Sequence, residues 1–474
     1  MAEYLSPGVF IEDNPHPPVA EAVSASTGGF IGVAQRGEVG KPVFINSWNA
    51  FINSFAFGMD SPFLADSDLA YSVYGFFQNG GKRCYVLRVA SDAVATAQYN
   101  KDTLTIRAKD AGEWGNNLEI VVTTNTDVST NFDLEVLLHG QRVEVFRNLT
   151  NIIGKENTWI DVLEAQSNYV KGVTGNLTVL VKTALTGGAD GISDLDDADF
   201  SDALSKFDMV DDLNLICIPG QTSETINSAL MTYCEKRSDV FAIIDAPEAS
   251  TVESVLALRK IMSCKNAAMY FPWIKVSDPL SKTGKLRNCP TCGHIMGVYA
   301  RIISERGAWK APAGTEAIVR GAIEVTTLLT NADVDMLNPA GIVSIIPKPN
   351  YGIVAWGARC LHPDTSMKYI SDVLLDIGIK KTVFNSTQQF VFEPNESVTW
   401  VKVKTTIEAY LDGLWREGAL AGSKASEAYY VKCDEDLNPA SVRNQGKLIC
   451  EIGYANKKPA EFVVFRFSHN VASN

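Results

Sequence analysis

The sequence has no long apolar run and no excess of basic charge. None of its segments reaches the roughly 18–20 consecutive apolar residues that a membrane helix needs, so it predicts no direct membrane insertion. Its 42 basic residues are outnumbered by 55 acidic ones, which gives a formal net charge of −13. Because binding to nucleic acid depends on neutralising phosphates with Lys and Arg, this balance predicts no nucleic-acid partner. This acidic charge favours a protein that binds a complementary basic surface of a partner.

Signatures of catalysis are scarce as well. The chain contains no GxSxG, HExxH or GxxxxGK[ST] motif. Cys289 and Cys292, followed by His294, have the first half of a zinc-site spacing, but no second CxxC or HxxxH lies near them. A metal or redox site is one interpretation of this trio, and an incidental structural pair is the preferred one. We therefore expect no enzyme, no cofactor and no bound metal.

The cysteines and the N-terminal residues indicate the compartment in which the protein folds. The chain has nine cysteines, an odd number, and several lie in apolar runs, as Cys217 does. This pattern predicts buried free thiols in a reducing compartment. The first residues lack the basic leader and apolar core of a signal peptide, so we expect the protein to fold in a cytoplasm.

The length of 474 residues predicts about three domains. The predicted fold class is α/β (mixed α+β) and multidomain. An α/β core carries an inserted β-rich domain, and a C-terminal α/β domain bears extended terminal arms. The predicted divisions are an N-terminal arm with an exchange strand (1–25), an α/β middle domain (26–91 plus 191–348), the β-rich insertion (92–190) and the C-terminal domain with its terminal strand (349–474).

Hydrophobic periodicity supports this division. In the middle domain it predicts strands over 30–34, 83–89, 213–218, 240–244 and 267–271, and helices over 47–57, 69–80, 223–236 and 252–262. Four short strands over 103–108, 118–123, 132–138 and 141–146 mark the insertion. The acidic run at 194–199 predicts a solvated helix start, and the polar segment 275–293 predicts a long loop. A C-terminal helix is predicted over 395–417, capped by Asn395, with an apolar stripe of Trp400, Val403, Ile407, Leu411 and Leu414.

Strand-like segments at the two chain ends are the main functional candidates. The N-terminal one contains Val9, Phe10, Ile11 and Glu12, and the C-terminal one contains Phe462, Val463, Val464, Phe465 and Arg466. A flat apolar strand left exposed is an aggregation hazard, so both must be covered. The residues leave two alternatives open: the strands complete a sheet of their own chain, or they add to the sheet of a neighbouring subunit.

Several blocks in this order resemble the contractile tail sheath proteins of phage tails, R-type bacteriocins and related contractile injection systems. The blocks are Ser6-Pro7-Gly8-Val9-Phe10, Phe76-Phe77-Gln78-Asn79-Gly80-Gly81, Gly293-His294-Ile295-Met296-Gly297, Trp356-Gly357-Ala358-Arg359 and the stretch from 390 to 467. The resemblance covers most of the chain.

The resemblance implies a structural subunit that polymerises helically, in rings that are sixfold, around an inner tail tube protein. It implies contraction that drives the tube through a cell envelope, baseplate and terminator proteins as further partners, and exchange of at least the N-terminal strand. It places the protein in a virion tail or phage-tail-like particle assembled in the bacterial cytoplasm. The alternatives are another helical tube or capsid protein, or a cytosolic α/β enzyme using Cys289, Cys292 and His294.

One departure from the family concerns the helix that faces the tube. Related sheaths often carry an adjacent arginine pair there, where this chain has Val373 and Leu374. We expect a helix over 365–385 in which Lys380 and Lys381 take over the contact with acidic tube residues. The residues predicted to face the tube are Lys368, Asp372, Asp376, Lys380 and Lys381.

Overall fold

A computed structural model describes residues 26–362 and 367–462. The predicted exchange-strand residues Val9, Phe10, Ile11, Glu12, Val463, Val464, Phe465 and Arg466 lie outside the described residues. The described chain forms two compact units, a core unit that extends to Val373 and a C-terminal unit that begins at Leu374. The predicted mixed α/β class is confirmed, and the four-part division at 25, 92–190 and 349 stays a prediction.

The described strands run as follows: β1 Gly28–Gly32, β2 Pro42–Ile45, β3 Cys84–Arg88, β4 Gln98–Lys101, β5 Leu104–Ala108, β6 Leu118–Thr124, β7 Phe132–Leu138, β8 Gln141–Leu149, β9 Val170–Thr174, β10 Leu180–Ala184, β11 Leu215–Cys217, β12 Phe241–Asp245, β13 Ala267–Phe271, β14 Ile274–Ser277, β15 Leu286–Cys289, β16 Ala322–Val325, β17 Ile342–Lys348, β18 Gly352–Trp356, β19 Tyr429–Lys432 and β20 Glu451–Tyr454.

The described α-helices are α1 Trp48–Phe55, α2 Leu69–Gln78, α3 Trp159–Gln166, α4 Asp197–Ser205, α5 Glu224–Arg237, α6 Val252–Ile261, α7 Cys292–Arg306, α8 Asn331–Leu337, α9 Ile370–Thr387, α10 Ser397–Arg416, α11 Ala425–Ala428 and α12 Ala440–Arg443. Short 3-10 helices cover Glu113–Asn117, Lys206–Met209, Gly314–Glu316 and Gln388–Phe390. No helix in the described ranges combines the length and the apolarity that crossing a membrane requires.

An eight-stranded sheet in the order β18-β17-β13-β12-β11-β1-β3-β2 is the centre of the core unit. The six inner strands pair in parallel, and β18 and β2 join antiparallel at the edges. The inner strands β1, β12 and β13 are buried at every position, as parallel strands covered on both faces must be. The continuous apolar runs in the sequence therefore predicted these strands correctly. Strand β18 lies in this sheet, although residues from 349 onward had been predicted to belong to the C-terminal domain.

The insertion is β-rich, as its short strands predicted. Strands β10-β6-β7-β8 form a four-stranded antiparallel sheet, and β4-β5-β9 form a second sheet of three strands. Their inward residues make a separate core around Trp159, Ile120, Val136 and Leu163, all of which are almost fully buried. The alternating burial along β7 is that of a strand with one covered face.

The predicted loop over 275–293 is wrong. Strands β14 and β15 form an antiparallel hairpin from Ile274↔Cys289 to Ser277↔Leu286, β16 extends it to three strands, and α7 begins at Cys292. The polar residues that suggested a loop are mostly half-exposed or exposed side chains on this hairpin and its turn. Because the alternation covers only four residues in each strand, loop composition obscured it.

Helices α2 and α7 approach each other closely, and the glycines of α7 make this possible. A Cβ on Gly293 would lie 2.5 Å from the carbonyl oxygen of Ser72, and one on Gly297 would lie 2.4 Å from that of Phe76. Both distances are shorter than real Cβ contacts allow, so only glycine permits this separation of the helices. The Gly293–Gly297 block is therefore a packing motif of the core unit.

The acidic run at 194–199 starts a helix, as predicted. Asp196 is the N-cap of α4, and its carboxylate accepts the backbone N–H groups of Ala198 and Asp199. The carboxylate of Asp199 accepts the N–H of Asp196 in return, which completes a capping box. Carboxylates at this end also face the positive pole of the helix dipole.

Candidate interaction surfaces of the C-terminal unit

Helix α10 organises the C-terminal unit. Its predicted apolar stripe is confirmed, since Trp400, Val403, Ile407, Leu411 and Leu414 are all at most 8% exposed. The predicted cap is wrong. Glu396 is the N-cap residue, without a side-chain cap bond. Asn395 instead accepts the indole N–H of Trp400 and donates its amide to the carbonyl of Lys447.

A sheet of only two strands packs beside this helix. Strands β19 and β20 pair antiparallel from Tyr429↔Tyr454 to Lys432↔Glu451, and no other strand of the described residues joins them. Val431 is buried and the neighbouring Tyr430 is 53% exposed, so one face is covered and the other is open to solvent. The outer edges of β19 and β20 therefore present backbone groups to which a further strand can bond. A two-stranded sheet depends on packing or on added strands for its stability.

The start of the predicted C-terminal exchange strand lies in the same unit. Phe462, the last described residue, is 74% exposed. The segment from the end of β20 to this residue contains an isolated bridge between Asn456 and Leu420 and no further strand among the described residues. A bulky aromatic side chain at this exposure contributes little to folding and remains available for contacts with another molecule.

Helix α9 places the five predicted tube-facing residues in different environments. Asp372, Asp376 and Lys381 are at most 7% exposed, Lys368 is half-buried, and Lys380 is exposed. The apolar side chains of Val373, Leu374 and Ile377 on the same helix are nearly fully buried. The surface lysine pair is not formed, since Lys381 points away from solvent. The assignment of this helix to the tube stays a prediction, and in this structure Lys380 and Lys368 are its accessible charges.

Asp376 connects α9 to the two-stranded sheet. Its carboxylate accepts the hydroxyl of Tyr454 on β20 and forms an ion pair with Lys380 one turn further along α9, with 2.6 Å between nitrogen and oxygen. Burial and the charge of Asp376 raise the pKa of Tyr454 well above its ordinary value. The sheet and the helix are thus joined by a polar contact that includes Asp376 and Lys380, two of the residues predicted to face the tube.

Five exposed apolar side chains lie between the last turn and a half of α9 and the second turn of α10. They are Phe384, Val391, Phe392, Val398 and Val401, all at least 56% exposed. Phe392 also has a positive φ of 73°, which costs a non-glycine residue on the order of 1 kcal/mol. Sequence reasoning did not identify this cluster. Its signal was available, because Val398 and Val401 fall outside the apolar stripe of α10.

The cysteine trio that suggested an enzyme lies in the core of the other unit. Cys289 ends β15, Cys292 begins α7, and His294 is 2% exposed against Gly75. Burial raises the pKa of both thiols well above the ordinary value, the opposite of what a reactive thiolate needs. Within 26–362 and 367–462, no group of three His, Cys, Asp or Glu side chains has metal-binding geometry.

The trio also lies apart from a cavity of about 520 Å³ in the core unit, between the insertion and the region around 59–64. The residues that line it are Gln35, Met59, Asp60, Ser61, Phe63, Leu64, Glu113, Trp114, Asn116, Asn117, His139 and Asp190. The thiols named in the enzyme hypothesis are therefore not activated ones, and none of the three residues lines this cavity.

Known proteins share this architecture. An extracellular contractile injection system, the PVC sheath complex in its contracted state, matches with a TM-score of 0.62 and 22% identity, covering 99% of each chain. The anti-feeding prophage helical sheath in its contracted state matches with a TM-score of 0.60 and 23% identity, over 98% of this chain and 100% of that one. A sheath tail protein from Listeria innocua matches with a TM-score of 0.66 and 14% identity, over 88% and 90% of the two chains. At these identities the likeness concerns the fold, which is that of a sheath subunit.

Sequence comparison leads to the same family. The model of the phage tail sheath protein central domain matches residues 195–361, and that of the phage tail sheath C-terminal domain matches residues 362–469. The chain belongs to the phage tail sheath protein family. A putative prophage major tail sheath protein of Pseudomonas aeruginosa (strain UCBPP-PA14) is 27% identical over 260 residues, which is 53% of this chain and 64% of that protein. The tail sheath protein of Salmonella phage ViI is 24% identical over 347 residues, 66% of this chain and 50% of that protein. The chain thus spans less than two thirds of these relatives.

Proposed function

We propose that this protein is the subunit of a contractile sheath. Copies polymerise helically, in sixfold rings, around an inner tail tube protein, and the polymer contracts to drive the tube through a target cell envelope. Baseplate and terminator proteins are further partners, located at the two ends of the polymer. The particle is a phage tail or a phage-tail-like particle, including R-type bacteriocins, that assembles in the bacterial cytoplasm. No nucleic acid, membrane insertion or cofactor takes part.

The two-stranded sheet β19–β20 is the observation that carries this proposal. It has two open backbone edges among the described residues, next to a helix that already covers one of its faces. Strands from other subunits that add to these edges complete the sheet by β-augmentation. The candidates are the segments containing Val9 to Glu12 and Phe462 to Arg466, which carry enough apolar residues to add one strand and too few to form a core.

Strand exchange also supports the mechanical role. Subunits linked through extended arms can rotate and slide relative to one another while the sheet hydrogen bonds persist. The energy for contraction is then stored at assembly, in an extended polymer held by a kinetic barrier. Triggering releases the polymer into a wider and shorter lattice, and no nucleotide or cofactor is consumed.

The experiment that tests this proposal is deletion of residues 1–14 from the full chain, followed by electron microscopy of the purified protein. We expect long sheaths from the intact chain, and a folded protein with unchanged circular dichroism but no sheaths from the deleted one. Sheaths of normal length from the deleted protein would exclude strand exchange at this end. Particles of a different geometry from the intact chain would favour another tube or capsid protein.

The C-terminal strand has a matched pair of proline variants. Val464→Pro removes a backbone donor in the middle of the predicted strand, whereas Ala472→Pro lies beyond it. We expect the first to block polymerisation and the second to leave it intact. An unchanged melting temperature with lost assembly indicates exchange between subunits, and a lowered melting temperature indicates that the strand pairs within its own chain. Intact sheaths from Val464→Pro would contradict either role.

The tube contact is tested through Lys380. Its side chain is 46% exposed and borders the buried Asp376, so Lys380→Glu reverses a surface charge and places two carboxylates side by side. We expect weaker co-assembly with the tube protein, with a larger loss at low salt because screening is then weak. Lys424→Glu, in the loop before α11, is the matched control. Equal co-assembly of both variants at low salt would contradict an electrostatic contact at α9.

A further inference from the structure

Two cysteines extend the register of the two-stranded sheet by one position. Lys432 on β19 is paired with Glu451 on β20, so Cys433 and Cys450 are the next residues on the two facing segments. Directly opposed residues of antiparallel strands have Cα atoms about 4.5–5.5 Å apart. Disulfides span Cα separations of about 4.4–6.8 Å. The register, continued by one position, therefore places these two cysteines opposite each other, where a disulfide can form.

The two thiols also interact directly and differ in accessibility. Each thiol lies close enough to the other to shift its pKa. Cys433 is 6% exposed, while Cys450 is partly exposed. All nine cysteines lie in the described ranges, and the other eight, Cys433 included, are buried. A small oxidant can therefore reach Cys450 most readily.

We propose that Cys433 and Cys450 form a reversible disulfide when the protein meets a small-molecule disulfide such as oxidised glutathione. The Cys450 thiol loses its proton and attacks one sulfur of the oxidant, forming a mixed disulfide and releasing one molecule of glutathione thiol. Cys433 then loses its proton and attacks Cys450 Sγ, which releases the second glutathione thiol. The two protein thiols are oxidised by two electrons in all, and the oxidant disulfide is reduced to two thiols.

The surroundings of the pair make this reaction slow at neutral pH. Burial and the neighbouring Cys433 raise the pKa of Cys450 to about 12, and burial raises that of Cys433. The charges that face the pair are Lys404 and Glu408 on α10 and Asp434 after β19; Lys404 lowers these pKa values and the two carboxylates raise them. Because the thiolate is the attacking species, the rate should rise about tenfold for each unit of pH below the pKa. A reducing compartment keeps the dithiol form, and long exposure to an oxidising medium closes the bond.

Closure would fix the register of the sheet proposed to receive exchanged strands. The bond links the segments that follow β19 and precede β20, and it encloses residues 434–449, which contain α12. Opening of the sheet requires those segments to separate, and a covalent link restricts that separation. The site itself depends only on the geometry of the C-terminal unit. It stands or fails independently of whether the protein forms a sheath.

The test is oxidation of the full-length protein followed by peptide mapping. Reduced protein is incubated with oxidised glutathione at pH 7 and pH 8.5, alkylated and digested. We expect a Cys433–Cys450 linked peptide, formed faster at pH 8.5 and removed by dithiothreitol. Hydrogen exchange of the β19 and β20 amides should slow by roughly tenfold or more in the oxidised form, because the linked strands open less often.

Matched variants separate the two steps. Cys433→Ser should stop at a glutathione adduct on Cys450, and Cys450→Ser should give neither adduct nor link. Cys217 and Cys292 form an internal control, since they also interact but are both buried; they should stay reduced. The proposal is overturned by a stable glutathione adduct on Cys450 in the intact protein, by linkage of other cysteines first, or by no reaction at pH 8.5. These readouts use the unmodified chain, so poor folding of a variant leaves them decisive.

Discussion

The core unit and the C-terminal unit differ in how far their strands and apolar side chains are covered. In the core unit six parallel strands lie between two antiparallel edge strands, and β1, β12 and β13 among them are buried at every position. In the C-terminal unit two strands stand alone among the described residues, and five large apolar side chains between 384 and 401 are exposed. The first unit pairs the inner strands of its main sheet on both sides, whereas the second leaves each of its two paired strands with one edge that no other described strand joins. Folding stability and assembly should therefore be separable by mutation.

The largest expected effect lies in the core unit. Phe241 on β12 is fully buried, so Phe241→Ala should lower the free energy of unfolding by about 3–5 kcal/mol through lost burial and a cavity. Phe462→Ala, in the C-terminal unit, removes a side chain that is 74% exposed and should change it by less than about 0.5 kcal/mol. Urea denaturation of both variants measures the two losses in unfolding free energy. Comparable losses would show that the two side chains contribute equally to folding.

The next effect is a pH dependence confined to the core unit. Burial lowers the pKa of His294 from 6.5 to about 4, so between these values the unfolded chain binds a proton that the folded chain does not. This contribution to stability is present above pH 6.5 and is lost as the pH falls towards 4, by about 3 kcal/mol in all. Asp245, which accepts the N–H of Cys292, has a pKa raised to about 7 and acts with the opposite sign.

Because these two contributions oppose each other, the comparison uses wild type and His294→Gln across pH 4–7. The stability of the wild type relative to the variant should fall as the pH is lowered. Urea denaturation at each pH gives the difference in unfolding free energy between the two proteins. Both contain Asp245, so its contribution cancels in this difference. A constant difference across this range would mean that His294 is protonated in the folded protein or exposed.

A smaller loss is expected in the C-terminal unit, where Asn438 ties the approaches to the two strands together. Its side-chain amide donates to the carbonyls of Asp434 and Ile449, and its oxygen accepts the N–H of Ile449. Since Asn438 is fully buried, Asn438→Ala leaves these groups unsatisfied and should cost about 1–3 kcal/mol. Asn444→Ala, at an exposed position, is the control. Thermal melting measures the stability of both variants. Equal melting temperatures would show that the contacts of Asn438 do not stabilise the unit.

The smallest effect on stability should accompany a clear effect on assembly. Phe392→Gly relieves the positive φ of 73° but adds freedom to the unfolded chain, and these terms of about 1 kcal/mol each nearly cancel. The fully exposed ring contributes nothing to the fold. If the exposed cluster is a contact surface, the variant should melt normally and form fewer or shorter sheaths in electron micrographs. Normal sheaths would remove Phe392 from the interface.

Patterns that repeat along the chain were predicted from the sequence alone. Apolar runs of strand length indicated β12 and β13, because a parallel strand is covered on both faces and needs no polar alternation. The stripe from Trp400 to Leu414 indicated the buried face of α10, because a helix repeats every 3.6 residues. The acidic run at 194–199 indicated the start of α4. These features depend on local geometry, which neighbouring residues determine.

Only the tertiary structure decided which groups meet across the fold. Asn395 bonds Trp400 and Lys447 instead of capping α10, and Lys381 is buried although lysine is mostly exposed in proteins. Cys433 and Cys450 become neighbours only because β19 and β20 pair in one register, which the 16 residues between them in the sequence do not reveal. The four-residue strands of the 274–289 hairpin are likewise stabilised by β16, which lies more than 30 residues further along the chain. Contacts of this kind depend on the packing of distant segments, so their energies are absent from any local pattern.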